Sequence, residues 1–295
     1  MGKIKQVCFC IRLIRIFDFV LDTPPQQNQT SLLLYSAYSY LCSVNTVPYG
    51  PTLIQGRRTY TNRNRHKNLQ DNFIFTKIIE KMLLNIILVI TAYLLGSIPS
   101  SVWIGKRFYG VDVRRHGSHN AGATNTLRVL GRRAALPVFA IDFLKGFAAV
   151  KLSLIAMRFN CYAADSAELF TLQMFLIVAV VIGHIFPVFA GFKGGKGVAT
   201  IAGTMVAVAT VPTLLALGVF IIVLAVSHYV SLGSIIGAIC FPIILALRHE
   251  DIKMVIFGIV VAVLLILTHR KNIKRLLSGT ESKIYLVKRH NKDGE

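Results

Sequence analysis

Residues 83 to 104 (LLNIILVITAYLLGSIPSSVWI) run for 22 positions without a charged side chain. At ~1.5 Å per residue a helix of that length covers the ~30 Å hydrocarbon core of a bilayer, so the run reads as a first transmembrane helix. Further apolar stretches follow at about 134–157, 168–190, 198–210, 212–230, 232–247 and 253–269. The expected fold is therefore all-α: a polytopic integral membrane protein with about seven transmembrane helices, some short or broken. Breaks are expected where Pro212 follows a short apolar run and where Ser231-Leu232-Gly233-Ser234 separates two longer ones. With 54% hydrophobic residues, neither a disordered chain nor an ordinary soluble domain fits.

The formal charge of +20, from 33 Lys+Arg against 13 Asp+Glu, then has to be placed. Basic residues in short loops favour the cytoplasmic side of a membrane. Loops after the first, third, fifth and seventh spans carry 7, 2, 0 and 8 Lys+Arg, whereas the opposite loops carry only Arg158, Arg248 and Lys253. The tail and the basic loops are expected in the cytoplasm. Alternation of charge with apolar spans also argues against a nucleic-acid partner, which would need its basic groups on a soluble surface. Five cysteines, Cys8, Cys10, Cys42, Cys161 and Cys240, show no paired metal-ligand spacing.

Residues 1–81 carry a net +7 and would lie on the outer face if they led directly into the first span, against the charge rule. They are expected to be an atypical extension, disordered or upstream of the true start at Met82. Within them His66 to Asp71 fits a His-x4-Asp acyltransferase pattern, but it lacks an apolar framework and reads as chance. The membrane domain is drawn at 82–279 and a charged cytoplasmic tail at 280–295.

Three polar constellations interrupt the apolar pattern. In RRHGSHNAGATNTLRVLGRR, Gly117, Ser118, Asn120, Gly122, Thr124, Asn125 and Arg128 crowd into twelve positions. Hydroxyls and amides there offer hydrogen bonds and Arg128 can fork onto phosphate oxygens, although Gly, Ser and Asn are also ordinary loop formers. In GHIFPVFAGFKGGKGVAT, Lys193, Gly194, Gly195, Lys196 and Gly197 precede an apolar helix, which suits an anion cradle. Ala190 and Gly197 stand where a Walker A loop needs Gly and Ser/Thr, so nucleotide hydrolysis is disfavoured. His184, at the end of the preceding span, is expected to support the site. Asp142 and Lys145, at i and i+3 inside the second span, can pair with each other or face a polar cavity. The third constellation, THRKNIKRLLSG, places His269 and Asn272 on one helical face at the membrane boundary.

Together the GSHNAGATN, GHIFPVFAGFKGGKGVAT, VSLGS and HRKNIKRL stretches resemble the bacterial acyl-phosphate:glycerol-3-phosphate acyltransferase (PlsY) family, over about residues 82–279. The resemblance implies a seven-helix fold with its active site at the cytoplasmic face of the inner membrane, and transfer of a fatty acyl group from acyl phosphate to glycerol 3-phosphate. It implies catalytic roles for Ser118, Arg128, Lys196, Ser231, His269 and Asn272. Substrate binding is implied for Asn120, Thr124, Asn125, Lys193, Gly194, Gly195 and Gly197, with His184 beside them. No cofactor or metal is implied, and the expected partners are the two substrates, membrane lipids and an acyl-phosphate-forming enzyme. Two positions depart from the family pattern: His119 stands where Gly is frequent, and Lys271 where Glu is common, which puts helix-end packing in question. The alternative, a transporter or channel for a phosphorylated anion, would show inverted repeats and polar groups lining a path to the midplane. The polar motifs gather at one face instead.

Overall fold

The computed structural model describes residues 58–284, apart from 160 and 165. The expected extension lies largely outside the described residues, as does the tail beyond 284. Contacts divide the chain into two units between Ile79 and Glu80, and the unit from Glu80 onward carries all three polar constellations.

Among the described residues all regular structure is helical. The helices are α1 (Arg58–Gly96), α2 (Ser100–Tyr109), α3 (Ala123–Leu130), α4 (Arg132–Lys151), α5 (Ser153–Arg158), α6 (Ala167–Ile185), α7 (Val198–Val208), α8 (Thr210–Ser227), α9 (Val230–Leu247), α10 (Ile252–Thr268) and α11 (Arg270–Leu277). Single 3-10 turns lie at Val113–Arg115 and Val188–Ala190.

Each of the seven apolar stretches is helical, but among the described residues four spans could cross a membrane by length and composition, or five if the α10–α11 pair, bent by 62°, is one of them. Two expected spans fall short for physical reasons. Helix α4 carries Arg132, Arg133, Asp142, Lys145 and Lys151, too many charges for a lipid-exposed span. Helix α7 has 11 residues, about half of what the hydrocarbon core requires. The first span is also not one helix: α1 stops at Gly96 and α2 starts at Ser100, with Pro99 between them lacking an N–H to continue the ladder. By contrast Pro212 sits in the first turn of α8, where proline is tolerated, and Ser231 in the first turn of α9, so the expected breaks are real helix ends.

The interior is largely apolar, as in a soluble protein, but the outer surface is apolar too and a set of polar side chains is buried. Ile86, Ile87 and Ile90 on α1, Ile221, Ile222 and Val226 on α8, and Ile243 and Leu247 on α9 are exposed, while Ser100, Asn125, Asp142, Lys145, Thr200 and His269 are buried. An apolar exterior, with the polar side chains that do occur kept inside, is what a lipid solvent selects. Helix α4 is the hub, packing against α2, α3, α6 and, most extensively, α7. Its approach to α7 is set by Gly146 and Gly203: a Cβ on Gly203 would lie 2.0 Å from the Phe143 carbonyl oxygen, and one on Gly146 2.2 Å from that of Thr200. Small residues at the crossing let two backbones meet where hydrophobicity alone gives no reason to associate. Helices α8, α9 and α10 pack in sequence beside this core. The α2–α3 and α6–α7 loops, the α8–α9 turn and the end of α10 converge around one cavity.

Candidate active site

The α2–α3 loop is shaped by two side chains. Asp112 caps the 3-10 turn by accepting from the Arg114 N–H (3.1 Å) and from its guanidinium (2.9 and 2.8 Å), and those hydrogen bonds hold the carboxyl well below its ordinary range. Arg114 also donates to the Ala190 carbonyl at 2.8 Å, tying this loop to the α6–α7 loop. Asn125 is fully buried: its amide donates to the carbonyls of Val113 (2.8 Å) and His116 (3.1 Å), while its oxygen accepts from the Ser118 N–H (2.8 Å) and hydroxyl (3.1 Å). Asn125 therefore presents Ser118 to the cavity rather than spending its amide on a ligand. His119 has φ +58, the left-handed region that glycine occupies without strain and histidine tolerates better than branched residues. That accounts for glycine being frequent at this position in the resembled family.

The glycine-rich loop is arranged differently from the expected cradle. The N–H groups of Gly194 and Gly195 donate to the carbonyls of Ile185 and His184 (both 3.1 Å), satisfying the end of α6, and so are not available to an anion. Lys193 is exposed and lines no part of the cavity. The groups that face the cavity are Lys196 and the start of α7, which begins just after Gly197 at φ +84 and places Gly197, Val198 and Ala199 at the cavity wall. The first amides of a helix have no intrahelical acceptor and favour negative charge. Burial pulls the Lys196 ammonium down to about 8; Arg275 and Arg128 add to that pull and Glu281 opposes it.

Of the sequence-predicted residues, Ser118, Asn120, Thr124, Asn125, Arg128, His184, Lys196, Gly197, Ser231, His269 and Asn272 line the same cavity of about 160 Å³; Lys193, Gly194 and Gly195 do not. Lys196 Nζ donates to Asn272 Oδ1. His269 Nδ1 lies 2.8 Å from the Leu265 carbonyl oxygen, which can only accept, so Nδ1 carries the proton and Nε2 of the neutral ring is an acceptor. Arg128 Nε is buried without a hydrogen-bond partner.

One residue of the site was not anticipated. Glu281 is buried, and its carboxylate accepts from Ser231 Oγ (3.1 Å), Asn272 Nδ2 (2.8 Å) and Arg275 Nε (2.6 Å), with Arg128 at 3.6 Å. Burial alone would raise its pKa, but the hydrogen bonds from Arg275 and Asn272 outweigh that and hold it ionised. It lies beyond 279, in the stretch expected as solvated tail. Gly279, at φ +69, turns the chain back, Arg128 donates to the Ser282 carbonyl (3.3 Å) and the Ile284 N–H donates to the His228 carbonyl (2.8 Å). The signal available in sequence was a single acidic residue two positions after a glycine, amid lysines and arginines. Lys271 is exposed, so its cation disturbs no buried contact at the helix end.

Beside the polar cavity, and sharing Val198, Phe220 and Ser234 with it, lies an apolar groove between α7, α8, α9 and α10, walled by Ile201, Met205, Ala216, Phe241, Val261 and Leu265. The arrangement sets cations and helix amides on one side and an apolar surface on the other.

A family model described as glycerol-3-phosphate acyltransferase matches residues 86–279. The glycerol-3-phosphate acyltransferase of Chlorobaculum tepidum is 46% identical over 162 residues, 55% of this chain and 70% of that one. That of Clostridioides difficile is 47% identical over 157 residues, 53% of this chain and 74% of that one. The chain is also similar to the crystal structure of PlsY, an integral membrane glycerol 3-phosphate acyltransferase, in its glycerol 3-phosphate form. The TM-score is 0.60, with 40% identity over 68% of this chain and 96% of that chain. The lysophosphatidic acid form gives 0.58 over 68% and 95%.

Proposed function

Because the chain belongs to the glycerol-3-phosphate acyltransferase family, we propose that it acylates glycerol 3-phosphate, taking the fatty acyl group from acyl phosphate and releasing 1-acylglycerol 3-phosphate and inorganic phosphate. The observation that carries this reading is the junction of the two cavities. Arg128, with an unspent Nε–H, and Lys196 face a polar space that adjoins an apolar groove, the two sharing Val198, Phe220 and Ser234 as wall residues. Both substrates bring phosphate, and one brings a long hydrocarbon chain that the groove suits.

In the reaction the glycerol hydroxyl oxygen attacks the acyl carbonyl carbon, the bond from that carbon to the phosphate oxygen breaks, and the hydroxyl proton passes to the departing phosphate. Acyl phosphate is already activated, so positioning and charge stabilisation supply the acceleration. Arg128 and Lys196 neutralise phosphate oxygens. The acceptor Nε2 of His269 orients the attacking hydroxyl, Asn272 steers Lys196, and the Ser118 hydroxyl, whose proton rests on Asn125 Oδ1, turns from that oxygen to donate to the one on which charge develops. Asn120 and Thr124 complete the wall on the α3 side. Glu281 offsets one cation and fixes Ser231, Asn272 and Arg275 around it. The basic loops bearing this site suit the cytoplasmic face of a bacterial inner membrane, where glycerol 3-phosphate is dissolved and an acyl-phosphate-forming enzyme can deliver the donor.

Purified protein in detergent is expected to release phosphate from palmitoyl phosphate only when glycerol 3-phosphate is added. Absence of turnover in the unaltered protein would remove the assignment. An unchanged rate in Lys196→Ala or Ser118→Ala would remove the site.

A further inference from the structure

Acyl transfer leaves one buried polar cluster without a task. Asp142 and Lys145, one turn apart on α4, form an ion pair at 2.9 Å; Asp142 also accepts from Ser100 Oγ (2.8 Å), and Lys145 donates to the Ile98 carbonyl (2.8 Å). Those contacts satisfy the pair by themselves. A further partner reaches in from the last turn of α6: His184 Nδ1 lies 3.6 Å from Asp142 Oδ1 and 3.1 Å from Thr200 Oγ1 on α7. The other side of the same ring is the floor of the glycine-rich loop. A Cβ on Gly195 would lie 2.2 Å from His184 Nε2, and the His184 carbonyl accepts the Gly195 N–H. Three helices thus fix one imidazole, and the residue before Lys196 rests on it.

We propose that Asp142 and His184 are positioning residues for phosphate: the α4 carboxylate and Thr200 lock the His184 ring, and the locked ring sets where Lys196 and the start of α7 meet the substrate anion. The proposal rests on the reading that those two groups bind the glycerol 3-phosphate phosphate. It assigns Asp142 no part in bond making. Its removal loosens the loop while leaving Ser118, Arg128 and His269 in place, so the defect falls on affinity rather than on turnover.

Three variants of the full chain test this. Thr200→Val is nearly isosteric and removes one lock. His184→Phe keeps a flat ring but loses Nδ1. Asp142→Asn with Lys145→Met removes both buried charges together, so neither is stranded. Losing the hydrogen bond between His184 Nδ1 and Thr200 corresponds to about a tenfold rise in KM for glycerol 3-phosphate for Thr200→Val and His184→Phe, and losing the longer 3.6 Å contact to Asp142 to about threefold for the Asp142/Lys145 double variant, with kcat changed by less than about twofold. Combining His184→Phe with the double variant is expected to add nothing, because both break one link. Independently of activity, the rise in melting temperature that glycerol 3-phosphate gives the unaltered protein should shrink in each variant. An unaltered KM and unaltered thermal protection in Thr200→Val and His184→Phe would overturn the proposal, as would a fall in kcat at constant KM or fully additive defects. Failure of the acyltransferase reading shows instead in the unaltered protein, as absent turnover, while the thermal readout still tests the positioning.

Discussion

Replacing Glu281 by glutamine keeps the shape of the side chain and removes its charge. The amide oxygen can still accept from Ser231 and Asn272, at the 3.1 and 2.8 Å positions, but an NH2 group then faces Arg275 Nε, which now sits 2.6 Å from a carboxylate oxygen. One charge-assisted hydrogen bond, of ~1.5–3 kcal/mol, becomes a donor facing a donor. Arg128, at 3.6 Å, loses its attraction as well. Partial exposure of Arg275 screens part of the effect, so the net destabilisation is about 2 kcal/mol, below the 3–5 kcal/mol of a fully buried broken pair. For a membrane unit of this size that is a drop of about 4–8 °C in melting temperature, read from loss of helical circular dichroism in detergent. The lost charge has a second outcome. Without the carboxylate, Arg128, Lys196 and Arg275 surround a vacated anion position, so inorganic phosphate should raise the melting temperature of Glu281→Gln more than that of the unaltered protein. A variant that melts with the unaltered protein, or that phosphate protects less, would refute the account of Glu281 as the internal counter-ion of this site.

Lys196, at about 8, predicts a pH signature. Its charge is complete well below that value and lost above it, so KM for glycerol 3-phosphate should stay flat to about pH 7 and climb above 8, whereas Lys196→Arg should stay flat to about pH 10, as initial rates across that range will show. Arg128→Lys keeps the charge but loses the unspent Nε–H and the planar fork, and kcat/KM is expected to fall by about tenfold to a hundredfold in the phosphate-release assay. At the α4–α7 crossing, Gly203→Ala places a methyl group 2.0 Å from the Phe143 carbonyl oxygen, so the helices must separate. A loss of about 1–3 kcal/mol is expected, measured as a lower melting temperature with substrate KM raised in parallel.

The lipid-facing part of the fold was legible because hydropathy is a local property: the apolar runs fall on helices within a few residues of where composition places them. What composition could not show was which runs span. Helix α4 reads as apolar on average, yet Asp142 and Lys145 make it an interior element, and only its neighbours show how they are satisfied. The break at Ser97–Pro99 was hidden inside an uncharged run, with Pro99 its one local mark. Much of the site was legible too, since Ser118, Arg128, Lys196, Ser231, His269 and Asn272 do meet in one cavity. The glycine loop departs from expectation in detail: Gly194 and Gly195 donate backward to α6, a tertiary fact that no spacing rule contains. Glu281 was missed because its partners come from α3, α9 and α11, so nothing local distinguishes it from a solvated acid in a basic tail.

The polar interior of α4 also bears on how the protein is made. Each of its central charges costs a few kcal/mol to place in hydrocarbon unaided, so this helix enters the bilayer poorly as a lone segment. Its first partners are supplied upstream: Ser100 and the Ile98 carbonyl belong to the α1–α2 corner, which leaves the ribosome before Asp142 and Lys145 do. His184 and Thr200, which also pack on this pair, come later in the chain. The corner that interrupts the first apolar run thus supplies, earlier in the chain, the hydroxyl and the carbonyl that let a charged helix sit in the middle of a membrane protein.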